Sequence, residues 1–312
     1  MTRTFQLMIV TVAAFTASVT VAQEAELSWQ FSSGDAFSIQ YVQSDKFASR
    51  IDTRDRSVES EVTLNLDWSV TAVDGQGTAT IDQTITRVQL NSGAPGEEEK
   101  RAIELDTASD APLRGVSRNF MKLVKPLVGL KYSLQLDKSG KLLSVSVDQA
   151  TQAKLDEIHA DNQFSKVVQP KAMQAALAKS LALPARKLEA DQAWDDADQI
   201  DFAGGKLDRT TTWKVGSINA ESAELEMTMQ LDQDENANAA AAKKPAREEG
   251  AITGPPKIQA YSGSGSVVFD RKAGHVRSVR MDSEIKVRTT YRTDFIDTTL
   301  KSVSQTTIAK KE

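Results

Sequence analysis

Apolar and polar residues alternate along much of this chain, and alternation with a period of two predicts β-strands that bury one face. Leu27, Trp29 and Phe31 form one such run and Phe37, Ile39 and Tyr41 a second, with the turn-forming Ser32-Ser33-Gly34-Asp35 between them. The clearest strand carries Val62, Leu64, Leu66, Trp68, Val70 and Ala72 at even spacing. Asp74-Gly75-Gln76-Gly77 then turns the chain, and Thr80 to Leu90 returns with its apolar parity changing between Ile85 and Val88. One extra residue in a β-bulge absorbs such a change. Residues 43 to 61 are polar, with Arg50, Asp52, Arg54, Asp55 and Arg56 mixing both signs, and read as a solvated strand face or loop. The second half alternates in the same way. Thr210 to Val215, then Leu225, Met227, Met229 and Leu231, predict two strands, Val279 to Tyr291 a long one, and residues 296 to 308 another.

Helical signals are confined to two places. Asp110-Ala111-Pro112 is a helix start signal, after which Leu113, Val116, Phe120, Leu123, Val124 and Leu127 share one face and Arg114, Arg118, Lys122 and Lys125 another. Pro126 and Gly129 end this element, expected around residues 111 to 125. Its cationic face suits an anionic membrane surface, but any helix packed on a sheet shows such a solvated side. Residues 149 to 183 are helical in composition, with Ala153, Leu155, Ile158, Met173, Leu177 and Leu181 carrying the apolar signal and Asn162 and Pro170 interrupting it, and predict two helices or a broken one.

One pattern occurs twice. Ser133 to Asp148 and Ser266 to Asp282 align with one gap opposite Ala273, so that Asp137 meets Asp270, Gly140 meets Gly274 and Asp148 meets Asp282. Each copy reads as strand, glycine turn, strand, which is a β-hairpin. Trp29 and Trp68 precede the first copy and Trp194 and Trp213 the second, and Trp68 and Trp213 open related W-x-V stretches. The shared order argues for an internal duplication. The expected fold class is therefore α+β and mainly antiparallel β, with duplicated curved sheets and helices packed against them. Its parts are a leader over residues 1–22, a first β-rich half over 23–148, a helical connection over 149–187 and a second β-rich half over 188–312. Within the last, the low-complexity tract at 232–256 reads as a flexible insertion.

Composition narrows the compartment. Arg3 is followed by an uncharged run to Ala22 ending in small residues, which reads as a cleaved signal peptide, with an uncleaved anchor as the alternative. The chain contains no cysteine, so disulfides, thiolate nucleophiles and cysteine metal sites are excluded. An exported chain without disulfides fits a bacterial envelope, periplasmic or secreted, better than a eukaryotic secretory route. The net charge of −5, or −6 once Arg3 leaves with the leader, gives no nucleic-acid footprint. Past the leader, no apolar run is long enough to span a membrane as a helix.

Candidate chemistry is sparse. Only two histidines exist, His159 and His275, and the second replaces Lys141 of the other hairpin, so it reads as a turn side chain. Two distant histidines do not make a three-ligand zinc site. Nucleophile-elbow, zinc-helix, phosphate-loop and dinucleotide fingerprints are missing. Gly263-Ser264-Gly265-Ser266 enters a strand rather than a helix and reads as a flexible approach. Asp137 and Asp270 fall in hairpin turns with Gly140 and Gly274, where aspartate binds its own turn amides. We therefore expect no catalytic residues, no metal and no cofactor. Trp29, Trp68, Phe120, Trp194 and Trp213 are the candidate core or pocket aromatics.

The leader, the W-x-V strand, the Leu183-Pro184 helix exit followed by Trp194, and the closing GSGSVVFDRKAGHVRSVRMD hairpin resemble a domain-of-unknown-function family of exported bacterial proteins. The resemblance implies no activity and no catalytic residues. The expected function is a non-catalytic envelope protein that binds a hydrophobic ligand or another envelope protein. A lipid or lipoprotein carrier with a pocket lined by Trp68, Phe120 and Met227 is its specific form, and a carboxylate-dependent hydrolase using Asp137 or Asp270 is the rival.

Overall fold

The computed structural model describes residues 24–51, 54–94, 102–113, 115–159, 181–184, 186–202, 205–231, 256–291 and 294–311. The expected leader and all of the expected insertion but Pro256 lie outside them.

In chain order the elements are β1 (Ala25–Glu26), β2 (Ala36–Ile51), β3 (Arg54–Val73), β4 (Ala79–Gly93), β5 (Ile103–Asp106) and helix α1 (Gly115–Val124) with a 3-10 turn at Lys125–Leu127. There follow β6 (Lys131–Leu136), β7 (Leu142–Ser146), α2 (Gln149–His159) and β8 (Lys187–Leu188). The second half supplies β9 (Ala193–Phe202), β10 (Gly205–Ile218), β11 (Ser222–Leu231), β12 (Lys257–Asp270), β13 (His275–Tyr291) and β14 (Asp294–Lys310). Twelve strands make one antiparallel sheet in the order β7-β6-β4-β3-β2-β14-β13-β12-β11-β10-β9, with β5 beside β4. A single continuous sheet thus stands where duplicated sheets are expected, because β14 pairs with both β13 and β2 and joins the two halves.

The alternation at Val62 to Val70 places Leu66, Trp68 and Val70 in the core. The parity change in β4 is a bulge at Thr86: Leu66 pairs with Ile85 but Asn65 with Arg87, so Ile85 and Val88 both face inward. A second bulge after Val70 turns Ala72 outward, against the even spacing. The polar stretch forms regular strand at 43–51 and 54–61, pairing Gln43 with Val62 and Lys46 with Glu59. Gly263 and Gly265 lie inside β12, paired on both sides, and are not an approach to it. A Cβ at Gly265 would stand 2.4 Å from the Arg280 carbonyl and 3.2 Å from Met227, so glycine lets Met227 lie across the strand.

Helix α1 starts at Gly115, later than its sequence signal, and residues 111–113 are not helical. Gly115 has φ +54°, a left-handed conformation that separates the Asp110-Ala111-Pro112 segment from the helix. Val124 and Leu127 are buried while Phe120 and Met121 pack partly on the core. Helix α2 is capped by Asp148, whose carboxylate accepts from the Thr151 amide at 2.6 Å and stays ionised below the usual range for that reason.

Leu27 to Phe31 is not a strand of the sheet. The Trp29 amide donates to the Lys138 carbonyl at 2.8 Å and the next amide, Gln30, to the Gly274 carbonyl at 2.7 Å. Those carbonyls belong to the β6–β7 and β12–β13 turns, whose nearer strands, β6 and β13, stand five positions apart in the sheet. In a flat sheet five steps span about 24 Å at ~4.8 Å each, whereas consecutive Cα atoms are about 3.8 Å apart. The sheet is therefore curled around this segment. β1 pairs with β8, and the Leu183 amide donates to the Ser139 carbonyl at 2.7 Å, so residues 24–31, 181–184 and 186–188 together plug this end.

Candidate functional site

The strands outrun the core. At the plugged end Phe37, Ile39, Trp68, Ile81, Val267 and Phe269 are buried; at the other end, where β2 turns into β3 and β13 into β14, the same sheet face is half open. Antiparallel register makes the consequence plain, since directly paired residues share a face. Val58 pairs with Phe47, Phe47 with Leu300, Leu300 with Ile285 and Ile285 with Tyr261. Five strands thus set one apolar row side by side, and Phe47 and Val58 are 43% and 44% exposed. Between this row and the core runs a row of small groups, Ser60, Asp45, Ser302, Ser283 and Gly263, also in direct register. A floor of serine and glycine beside bulky apolar side chains makes a shallow trough across the strands. Gly263 keeps Met229 against it, for a Cβ there would stand 2.8 Å from the methionine methyl.

The floor row has one charged member. Asp45 accepts from Gln43 Nε2 at 2.9 Å, and Gln43 accepts from the Tyr41 hydroxyl, a chain that steps along the core face of β2. Burial raises the Tyr41 phenol above its ordinary value and the Asp45 charge adds to this.

The opposite face is a ladder of paired charges: Lys46 to Glu59 at 2.6 Å, Arg288 to Asp297 at 2.6 Å and Lys301 to Glu284 at 2.9 Å. It borders two open grooves, of about 860 Å³ beside Arg50, Asp55 and Asp297, and about 740 Å³ beside Lys46, Glu59, Glu104 and Lys301. Hydrogen bonds from Arg288 hold Asp297 below the carboxylate range, and Lys301 and Lys286 do the same for Glu284. These groups are held ionised, the opposite of what a general acid requires.

The sequence-predicted aromatics lie in or against the packed core instead. Trp29, Trp68 and Trp194 are buried, while Phe120 and Trp213 pack partly against the core. Trp29 stacks on Phe31 at 5.1 Å and stands 6.4 Å from Trp68; Trp194 stacks on Trp213 at 6.1 Å with the Arg186 guanidinium 4.9 Å above it. Trp68 and Met227, expected in a pocket lining, sit inside the packed core. The Trp68 indole donates to Gln83 at 2.8 Å. Asp137 accepts from the Ser139 and Lys141 amides, and Asp270 from those of Lys272 and Ala273, each closing its own turn beside Gly140 or Gly274. The His275 ring is buried rather than in a turn, 5.4 Å from Phe37 and 6.3 Å from Trp29, with Nδ1 2.9 Å from the Val276 carbonyl. Among the described residues no three metal-ligating side chains gather, and no helix is long and apolar enough to cross a membrane.

Sequence reasoning missed the apolar row because its members are scattered over five strands. The signal was present: Phe47 and Val58 in a polar stretch, each two residues from polar neighbours on the same face.

No curated protein matches the chain. Among solved structures it is similar to one described as lipid-protein interactions in lipovitellin, at 8% identity and TM-score 0.47, covering 90% of this chain and 25% of that one. It is similar also to an outer-membrane channel from Pseudomonas putida F1, at 6% identity and TM-score 0.23, covering 90% and 97%, and to OccAB4 of Acinetobacter baumannii, at 9% and 0.17, covering 90% and 99%. The chain thus spans a quarter of the lipovitellin chain, and likenesses of this size carry no functional weight. A family model matches from Gln76, in the β3–β4 turn, to Ser264 in β12, and with residues 76–264 matched the chain belongs to DUF6263, a family of unknown function.

Proposed function

We propose that this is an exported, non-catalytic binding protein of the bacterial envelope that holds an apolar ligand on the open half of its core face. The observation that carries the reading is the row Val58–Phe47–Leu300–Ile285–Tyr261, with Phe47 and Val58 more than two-fifths exposed. Contiguous exposed apolar surface costs solvation free energy and is kept where something covers it. A lipid or lipoprotein carrier is the specific form of this reading, with the ligand on an open trough rather than in a pocket behind Trp68. The same reading treats the sheet as two copies of one meander. The order β7-β6-β4-β3-β2 matches β13-β12-β11-β10-β9, and Phe37 faces Trp68 as Trp194 faces Trp213. Phe37, not Trp29, then holds the place of Trp194.

Native mass spectrometry of the full chain, purified from envelopes without denaturant, tests the proposal. We expect a lipid-sized adduct on the wild-type protein and none on the doubly substituted Phe47→Asp/Val58→Asp form. That variant should keep its melting temperature within a few degrees, because half-exposed side chains contribute little to folding. A clean apo protein that also takes up no added long-chain lipid would sink the reading.

A further inference from the structure

We infer that the occupant of this face is an anionic amphiphile, its alkyl chain laid across the Phe47 row and its charged headgroup directed to Arg54 and Arg56. The inference rests on the proposal above that the open core face binds an apolar ligand. The placement of charge along β3 and β2 supplies the headgroup. On the core face β3 presents Leu66, Leu64, Val62, Ser60, Val58, Arg56 and Arg54 in succession, because Arg56 pairs with Ser49 and Arg54 with Ile51 in the register that pairs Val58 with Phe47. Alternate residues share a face and rise about 3.4 Å per residue, so Arg56 follows Val58 by about 7 Å and Arg54 by about 14 Å. Both arginines are exposed, and among the described residues neither pairs with a carboxylate. Their neighbours on the other face are neutralised: Arg50 stands 3.6 Å from Asp55 and Arg288 2.6 Å from Asp297.

The opposite sign lies at the other side of the row. Asp45, two residues from Phe47 toward the plugged end, carries the one formal charge in the floor row Ser60–Asp45–Ser302–Ser283–Gly263, and the Arg209 guanidinium beyond Met229 is neutralised by Asp198. An anionic headgroup is repelled there and drawn to the tip, which fixes the direction of the chain. Guanidinium groups present donors in a planar fork that matches carboxylate or phosphate oxygens. A bilayer surface fits less well than a single amphiphile. The outer face of the same tip exposes Asp55 and Asp297, at 77% and 53%, to whatever approaches it end-on.

The test is calorimetric titration of the full chain at low salt with tetradecanoate, its methyl ester and tetradecyltrimethylammonium, each below its micelle concentration. Tetradecanoate should bind about tenfold more tightly than the ester, as two partly solvated charge contacts supply, and the ammonium more weakly than either. In Arg54→Gln/Arg56→Gln the gap between acid and ester should close while ester affinity stays unchanged; Arg56→Gln alone should close part of it. Equal binding of acid and ester by the wild-type chain overturns the inference and leaves the apolar face standing. A gap that survives in the double variant overturns it as well. Failure of all three chains to bind overturns both. Co-sedimentation with vesicles of anionic phospholipid, without binding of monomeric tetradecanoate, assigns the tip to a membrane surface instead and refutes the single-molecule form.

Discussion

Gly140 shows how much one side-chain hydrogen can decide. Its φ is +75°, and a Cβ added there would stand 2.0 Å from the Leu181 carbonyl oxygen and 2.4 Å from the Trp29 indole nitrogen. That nitrogen donates to the same carbonyl at 3.2 Å. Gly34 has a similar φ of +91° with nothing within 4 Å. Gly34→Ala therefore isolates backbone strain, about 1 to 2 kcal/mol, while Gly140→Ala adds a displaced indole and a broken buried hydrogen bond. Urea unfolding should place Gly140→Ala at least about 2 kcal/mol below Gly34→Ala; equal costs would mean the plug does not need that contact. Asp106 gives a prediction in pH. Hydrogen bonds from the Arg87 guanidinium bring its carboxyl down to about 2, below the ordinary 3.8. A lowered folded-state pKa stabilises the fold above the unfolded value, and that contribution disappears as pH falls through the folded one. The melting-temperature advantage of the wild type over Asp106→Asn should be full above pH ~4 and shrink toward pH ~2. A difference that is flat across this window would assign Asp106 a purely steric role.

At the scale of elements, what the sequence discloses depends on whether burial writes a period into it. β3 is legible from Leu64 to Val70 because every second residue enters the core. The bulge at Thr86 is legible too, since an inward face on both sides of an extra residue forces the parity to change. The outer halves of β2 and β3 are not, because both faces meet solvent there and the alternation fades although the ladder continues to Arg54. Leu27 to Phe31 misleads in the opposite way. An extended segment that inserts Leu27 and Trp29 into the core alternates like a strand, yet its amides serve two turns. The candidate site was correspondingly hidden, since no local pattern reveals that Phe47 will lie between Val58 and Leu300. The plug itself can be tested as an element. Trp29→Ala removes contacts with Phe31, Trp68 and His275 and leaves a void between the two hairpin turns. The expected cost is about 3 to 5 kcal/mol, as for buried aromatic truncations generally. A cost near 1 kcal/mol in thermal or urea unfolding would show that the hairpins hold the curl without the segment.

For the whole molecule, the decisive feature is that the same strands belong to two environments. Near Phe37, Leu66 and Ile308 they are buried beneath the plug; near Phe47, Val58 and Leu300 they rest on sheet hydrogen bonds and half-exposed side chains. Local opening needs little free energy where few apolar contacts are broken, and approaches the global value where the core must open. Native-state hydrogen exchange should therefore fall off along single strands, slow for the amides of residues 37–41 and 64–68 and faster for those of 45–49 and 56–60. Neither β2 nor β3 should exchange as one unit. A ligand laid on the Phe47 row adds contacts only to the labile half, so binding should slow exchange there while leaving the plugged end unchanged. Phe47→Asp should abolish that local protection without altering exchange in the core. Uniform protection along β2 and β3 in the unliganded protein would contradict the division into a stable end and a receptive one. Ligand-induced protection centred on Trp68 or Met227 would relocate binding to the plugged end.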